Sequence, residues 1–242
     1  MNIEPKEAFP YKPPTIEIKN KYKHIFDLEN PLPSRILKTL FDKFIALILI
    51  SFSTPILIIL KICFVIEGLI VPENKGPMFF YYNAISNGKE FKKYKIRIIK
   101  MKYIDPEGAK KGDWIAYSAE WNDHSRTYMG TVVKNFYLDE IPQFFSVLKG
   151  EMSIVGPRPL SVLHTERDAE QGNVTRKLIK GGLLGLGHIN KGTSEMGNPI
   201  YEYEYIDKYM NASDIELLFL DLKIIYKGIL LIFKGEGYWY RF

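Results

Sequence analysis

Residues 44 to 60 read Phe44-Ile45-Ala46-Leu47-Ile48-Leu49-Ile50-Ser51-Phe52-Ser53-Thr54-Pro55-Ile56-Leu57-Ile58-Ile59-Leu60. These seventeen residues carry no charge, which is the lower limit for a helix that spans a bilayer. Past Lys61 the apolar character resumes through Ile66. Ser53, Thr54 and Pro55 occupy the middle. Proline removes a backbone donor and clashes with the preceding turn, so a kink or break is predicted near Thr54-Pro55. The hydroxyls of Ser51, Ser53 and Thr54 are placed to satisfy carbonyls freed there. Three architectures compete: a kinked spanning helix, a helix–break–helix that dips in and returns, and a buried helix of a soluble core. Basic residues stand on both sides, Lys19, Lys21, Lys23, Arg35, Lys38 and Lys43 before and Lys75, Lys89, Lys92, Lys93 and Lys95 after. The tendency of basic flanks to stay cytoplasmic favours the re-entrant form.

The chain has 242 residues, a net charge of +5 and a pI near 9.0. That balance suits anionic partners. The basic residues flank an apolar segment rather than forming one dense tract, and no RNA- or DNA-binding motif is present, so a lipid surface or phosphorylated small molecules are expected instead of nucleic acid. The single cysteine, Cys63, excludes an intramolecular disulfide and reads as a small apolar residue. The first forty residues are polar, contain several prolines and lack an apolar core, so no secretory signal is expected.

Three units follow. Residues 1–35, with Pro5, Pro10, Pro13, Pro14, Pro31 and Pro33, read as an extended N-terminal arm; 36–71 is the membrane segment; 72–242 is the remaining domain. Within it, Met78–Tyr82 and Tyr94–Ile99 are β-prone, with Asn87-Gly88 between them as a hairpin turn. Residues 102–123 read as irregular. Leu138 to Lys149 reads as a helix that starts near Asp139, because Pro142 is tolerated only in a first turn, and ends at Gly150. Leu138, Ile141, Phe144, Phe145 and Leu148 would form its apolar face. Residues 175–192 read as glycine-rich loop. Ile215–Phe233 is a last helix with a polar strip of Glu216, Lys223, Lys227 and Lys234. Such a helix packs in a core or lies in a membrane interface. Asp221 falls outside that strip, among apolar residues, and needs a partner or a role.

The chemistry centres on Asp139-Glu140 and on Gly156-Pro157-Arg158-Pro159. Negative charge is stabilised at a helix start. An ionised carboxylate can attack phosphorus or hold Mg²⁺. Adjacent helical residues point about 100° apart, which suggests one nucleophile and one metal ligand rather than a shared task. The plain alternative is a pair of acids that complement the helix dipole. The prolines around Arg158 restrict its backbone, and its guanidinium can grip phosphate oxygens bidentately; the alternative is a surface arginine in a turn.

These residues carry a resemblance. Asp139-Glu140-Ile141-Pro142-Gln143 followed by Leu148-Lys149-Gly150-Glu151-Met152-Ser153-Ile154-Val155-Gly156-Pro157-Arg158-Pro159 resembles the core signature of the bacterial sugar transferases, the monotopic phosphoglycosyl transferases. Lys38-Thr39-Leu40-Phe41-Asp42, Gly76-Pro77-Met78-Phe79-Phe80, Asn87–Phe91, Tyr94–Arg97, Gly182–Leu186, Ile189-Asn190, Asp221–Ile224 and Gly235-Glu236-Gly237 resemble further segments, so the likeness spans roughly residues 36 to 237. It implies an α+β fold: a re-entrant membrane helix, a small β-hairpin, and a helical catalytic core with amphipathic interfacial helices. It implies transfer of a phospho-sugar from a UDP-sugar to undecaprenyl phosphate, with release of UMP and an aspartyl-phosphosugar intermediate. Such a step starts lipid-linked glycan assembly. By motif position Asp139 is the nucleophile, Glu140 the Mg²⁺ ligand and Arg158 a phosphate clamp. Lys95, Arg97, Gln143, Pro157, Pro159, Asn190 and Asp221 are expected to line the substrate site. The implied location is the cytoplasmic leaflet of the bacterial inner membrane, with a homodimer compatible with the resemblance.

The sequence departs from the pattern in places. Tyr82-Asn83-Ala84-Ile85-Ser86 lacks the glutamine and arginine usual after the Phe-Phe segment. Lys134-Asn135 replaces a double arginine, Tyr137 a serine or threonine cap, Lys180-Gly181-Gly182 a Lys-Pro-Gly, and Asn190-Lys191-Gly192 an Asn-Gly-Arg turn. A catalytically silent homologue acting as a membrane scaffold for other glycan enzymes is the rival reading; intact Asp139, Glu140 and Arg158 favour the enzyme.

Overall fold

The computed structural model describes residues 9–113, 116, 122–187, 190 and 193–233. Ile189, Lys191-Gly192, Lys234 and Gly235-Glu236-Gly237 lie outside them. The architecture is α+β, with one long apolar helix and two small sheets.

That helix, α3, runs Ile36–Ile70. No break interrupts it, which corrects the expected helix–break–helix: Pro55 sits inside a continuous helix. Three hydroxyls near the proline bond back to helix carbonyls. Thr54 Oγ1 donates to Ile50 O at 2.7 Å, Ser53 Oγ to Ile50 O at 3.2 Å, and Ser51 Oγ to Leu47 O at 2.9 Å. None of these bonds goes to the Ser51 carbonyl, the i−4 acceptor that Pro55 leaves without its N–H. Among the described residues α3 is the one helix long and apolar enough to cross a membrane. Phe44, Phe52, Ile59, Leu69 and Ile70 are exposed.

Both halves of α3 nevertheless pack on the same body. Lys38, Asp42, Ala46, Leu60, Phe64 and Glu67 are buried, at spacings that keep them on one side of a helix. Ala46, with Ile45 and Leu49, joins the larger core; Leu60 and Phe64, with Leu57, join the smaller. At the start of α3 the Asp42 carboxylate accepts from Ser153 Oγ (2.7 Å) and the Ile154 amide (3.1 Å). At its end the buried Glu67 carboxylate accepts from the Tyr128 and Met129 amides (2.6 and 3.1 Å), the first donors of α5, Tyr128–Asn135. A carboxylate from one helix thus caps another.

The hairpin is the expected one but longer. β1 (Phe79–Ser86) pairs antiparallel with β2 (Lys89–Ile96), closed by Asn87 and Gly88 at φ 53° and 69°. Two positive φ values in a two-residue turn match the right-handed strand twist, which is why Asn-Gly occurs there. A short helix, α4 (Pro106–Lys110), follows. After α7 (Val162–Glu170), the glycine-rich stretch is not all loop: α8 (Thr175–Leu178) and β4 (Gly182–Leu184) lie in it. β4 pairs parallel with β3 (Ser153–Val155). The Gly182 backbone passes so close to the Gly156 amide that any side chain at 182 would overlap it.

The arm read as extended carries two short helices, α1 (Ile16–Lys21) and α2 (Lys23–Phe26), and puts Ile18, Tyr22 and Ile25 into the main core. The last helices are α9 (Ile200–Asn211) and α10 (Asp214–Phe233), the latter as read from its pattern. Ile215, Phe219 and Tyr226 of α10 are exposed.

Candidate active site

The acid pair does not sit in a regular helix. Tyr137 takes the left-handed conformation (φ 55°), and Leu138–Glu140 then form a 3₁₀ turn. The α-helix, α6, covers only Gln143–Lys149, with Gly150 at φ 82° as its cap. Its buried residues are Gln143, Ser146 and Val147 while Phe145 is exposed, so the expected apolar face is rotated. A bulky residue at positive φ is costly and persists only where its surroundings demand it. Here it reverses the chain just before Asp139.

Asp139 is buried, and Lys95 Nζ donates to its Oδ2 at 3.1 Å. Lys95 comes from β2, and strand alternation puts Lys93 on the same face. Beside this pair, Arg158 Nη2 donates to Glu140 Oε1 at 2.9 Å. Burial pushes the Glu140 carboxyl up, but Arg158, Lys95 and Lys93 outweigh it and hold the group well below the usual carboxylate range. Arg158 is raised in turn, mainly by Glu140. Burial, then Arg158, press the Lys93 ammonium well below the ordinary lysine value.

The backbone of Pro157-Arg158-Pro159 is pinned at three consecutive carbonyls. Pro157 O accepts from the Gly182 amide (2.8 Å), Arg158 O from Arg176 Nε (3.2 Å), and Pro159 O from Lys93 Nζ (3.1 Å). The prolines themselves fix φ and donate nothing. Together these constraints aim the guanidinium at Glu140 and leave it half-buried. Arg176 is buried and held by Asp168 and Glu202, so its charge is already compensated. Lys93 and Arg176 were not singled out from the sequence. Arg176 is separated from Arg158 by 18 residues and nothing local marks it; Lys93 carried a signal, since it is two residues from Lys95 on a strand.

Other expected site residues fall as follows. Gln143 is buried in the first turn of α6, and its Nε2 has no partner among the described residues, leaving a donor for a ligand oxygen. Arg97 is fully buried and donates to the carbonyls of Pro77, Ile99 and Asn74, 2.7–2.9 Å away. Asn190 Nδ2 donates to Leu186 O at 3.1 Å. Asp221 has the partners its position required, Lys38 Nζ at 2.6 Å and Tyr205 Oη at 2.8 Å. They belong to a separate buried cluster, at a cleft also bordered by Asp42, Ser153 and Lys180.

A model of the bacterial sugar transferase family matches residues 33–235. The chain belongs to the bacterial sugar transferase family. It is 32% identical over 210 residues to a UDP-glucose:undecaprenyl-phosphate glucose-1-phosphate transferase of Klebsiella pneumoniae, covering 83% of this chain and 40% of that protein. A UDP-N-acetylgalactosamine-undecaprenyl-phosphate N-acetylgalactosaminephosphotransferase of Aeromonas hydrophila is 28% identical over 234 residues, covering 92% and 50%. An undecaprenyl-phosphate galactose phosphotransferase of Salmonella typhimurium is 30% identical over 205 residues, covering 79% and 41%. This sugar transferase chain therefore spans half the length of these relatives or less.

Proposed function

We propose that the chain is a phosphoglycosyl transferase that moves a phospho-sugar from a UDP-sugar to undecaprenyl phosphate. The observation that carries this reading is the buried Asp139–Lys95 pair beside the Glu140–Arg158 pair, two carboxylates and two cations converging from the 3₁₀ turn, β2 and the loop after β3. An Asp139 oxygen attacks the β-phosphorus of the donor; the bond from that phosphorus to the bridging oxygen breaks, and UMP departs with the oxygen. A lipid phosphate oxygen then attacks the same phosphorus and restores the Asp139 carboxylate. The donor diphosphate must approach a carboxylate nucleophile, and Lys95 and Arg158 offset that repulsion. The pinned Arg158 backbone presents its guanidinium in a fixed direction, so little reorganisation accompanies the charge shift.

The residues fit Mg²⁺. No group of three His, Cys, Asp or Glu occurs among the described residues, but this ion is commonly held by one or two carboxylates with substrate phosphates completing its shell. Glu140 would hold it, and when bound it neutralises charge on the diphosphate. Placement on one leaflet is supported by the packing of both halves of α3 on one body, since a helix leaving that body to cross a bilayer would lose one set of contacts. We assign that leaflet to the cytoplasmic side of the inner membrane, from the basic flanks. The test is UMP release from a panel of UDP-sugars by membrane-bound protein, with Mg²⁺ and undecaprenyl phosphate. Turnover with at least one sugar is expected; none with any sugar overturns the reading.

A further inference from the structure

Residues 9–32 lie outside the segment the family model matches, yet they are seated in the fold. The Lys12 amide donates to Gly197 O (3.0 Å), and its carbonyl accepts from Asn173 Nδ2 (3.1 Å). Gly197 has φ 77° and passes so close to the arm that a side chain there would overlap the Pro10 carbonyl. These contacts place the Tyr11 ring over the Arg176 guanidinium, with Cζ 4.3 Å from the ring centroid. Phe9 lies likewise over Arg167 at 4.5 Å, and meets Tyr11 at 5.4 Å, edge to face.

Arg176 Nε holds the Arg158 carbonyl at 3.2 Å, and Arg158 reaches Glu140. A contact chain therefore runs from the arm, through Tyr11, Arg176 and Arg158, to the acid pair. The charge of Arg176 is compensated by Asp168 and Glu202, so it has none to spare for a phosphate. Its free function is to hold the Arg158 backbone. A ring over its plane excludes water from that face and strengthens the hydrogen bonds made at its edge.

We propose that the N-terminal arm is a working part of the donor site, with Tyr11 a positioning residue that fixes Arg158 through Arg176. The inference rests on the reading that Arg158 takes a phosphate of the UDP-sugar. Tyr11 lies outside the segment the family model matches, and the hairpin within that segment lacks the glutamine and arginine of the pattern it resembles. The arm thus supplies a support that the matched region does not contain.

The experiment uses the full chain and two readouts: steady-state UMP release with a UDP-sugar that turns over, and UDP binding by calorimetry. Tyr11→Ala is expected to raise KM for the donor and weaken UDP binding, each about 10-fold, the scale of a partly desolvated cation–π contact. Tyr11→Phe keeps the ring over the guanidinium and is expected to recover most of both losses. Gly197→Ala displaces the arm at Pro10 and at the Tyr11 amide while leaving the Tyr11 side chain in place, and is expected to reproduce the Tyr11→Ala change. A merely structural role would lower the melting temperature and leave KM and UDP affinity of the folded protein unchanged. Unchanged KM and UDP affinity in both Tyr11→Ala and Gly197→Ala, with wild-type turnover intact, overturns the arm's role alone. A gain in kcat/KM also overturns it, since the arm would then obstruct the site. A wild type that neither binds UDP nor releases UMP overturns the reading beneath it as well.

Discussion

Lys38 Nζ lies 2.6 Å from Asp221 Oδ2, joining the first turn of α3 to the middle of α10 across 183 residues of sequence. Both side chains are buried, and Tyr205 Oη donates to the other Asp221 oxygen. The pair ties the apolar helix to the amphipathic one.

Breaking that pair on one side is expected to be costly. Asp221→Ala leaves a buried ammonium whose remaining carboxylate among the described residues is Asp42, at 3.6 Å, and should lose about 3–5 kcal/mol. Lys38→Met with Asp221→Leu should recover most of the loss, because apolar replacement of a buried ion pair is often close to neutral. Melting temperatures in one detergent decide this. A double variant as unstable as Asp221→Ala would show that the charges themselves are needed.

The packing of α3 makes a topological prediction. Lys21 and Lys89 are both exposed, before and after the helix. Single cysteines at these positions in a Cys63→Ser background should resist an impermeant thiol reagent in intact cells. Pro55→Ala should leave that protection unchanged, because Lys38, Asp42 and Glu67 hold the two ends of the helix to one body. Labelling at one of the two cysteines in the otherwise unaltered helix would establish a span.

What the sequence made legible is what local chemistry determines. The Asn87-Gly88 turn, the last helix and the unmet need of Asp221 follow from periodicity and turn residues. The acid pair and Arg158 were visible as a pattern of residue types. The break at Pro55 does not form, and the reason is not local: Lys38 and Asp42 near one end of α3 and Glu67 near the other are held by distant segments of the same body. β3 and β4 have three residues each, too few for a period to show. The left-handed Tyr137 goes against its residue type, so only the surrounding fold dictates it. Tyr11 and Arg176 join the site through contacts between segments far apart in the chain, and no local signal encodes those, whereas Lys93, two residues from Lys95 on β2, is legible from strand alternation.

Acid titration probes the Glu140–Arg158 pair. The folded-state pKa of Glu140 lies below its ordinary value. Its contribution to stability is therefore fully present above the unfolded carboxylate value of about 4.3, and is lost as pH falls through the lower folded value. Urea midpoints of wild type and Glu140→Gln should differ most near neutrality and draw together as pH falls below about 4, meeting only where Glu140 is protonated in the folded protein as well. A gap that stays constant down to the lowest pH would assign the effect of the substitution to packing.

Asp139 gives the most decisive chemistry. If its carboxylate attacks phosphorus, UDP-sugar alone should load a phospho-sugar onto the peptide containing Asp139, with UMP released in equal amount before any lipid phosphate is added. Asp139→Asn should remove both trapping and turnover by at least about 10³-fold, since an amide is a poor nucleophile. Arg158→Lys should load the same peptide about 10²-fold more slowly, because an ammonium cannot reproduce the bidentate fork although the charge is kept. Lys95→Met should lower the melting temperature as well as the rate, as it leaves the buried Asp139 carboxylate without its cation. Glu140→Gln should make turnover less responsive to Mg²⁺, one anionic oxygen ligand being lost. Turnover near the wild-type rate in Asp139→Asn, with the protein folded and membrane-bound, would exclude Asp139 as the nucleophile and with it the covalent route.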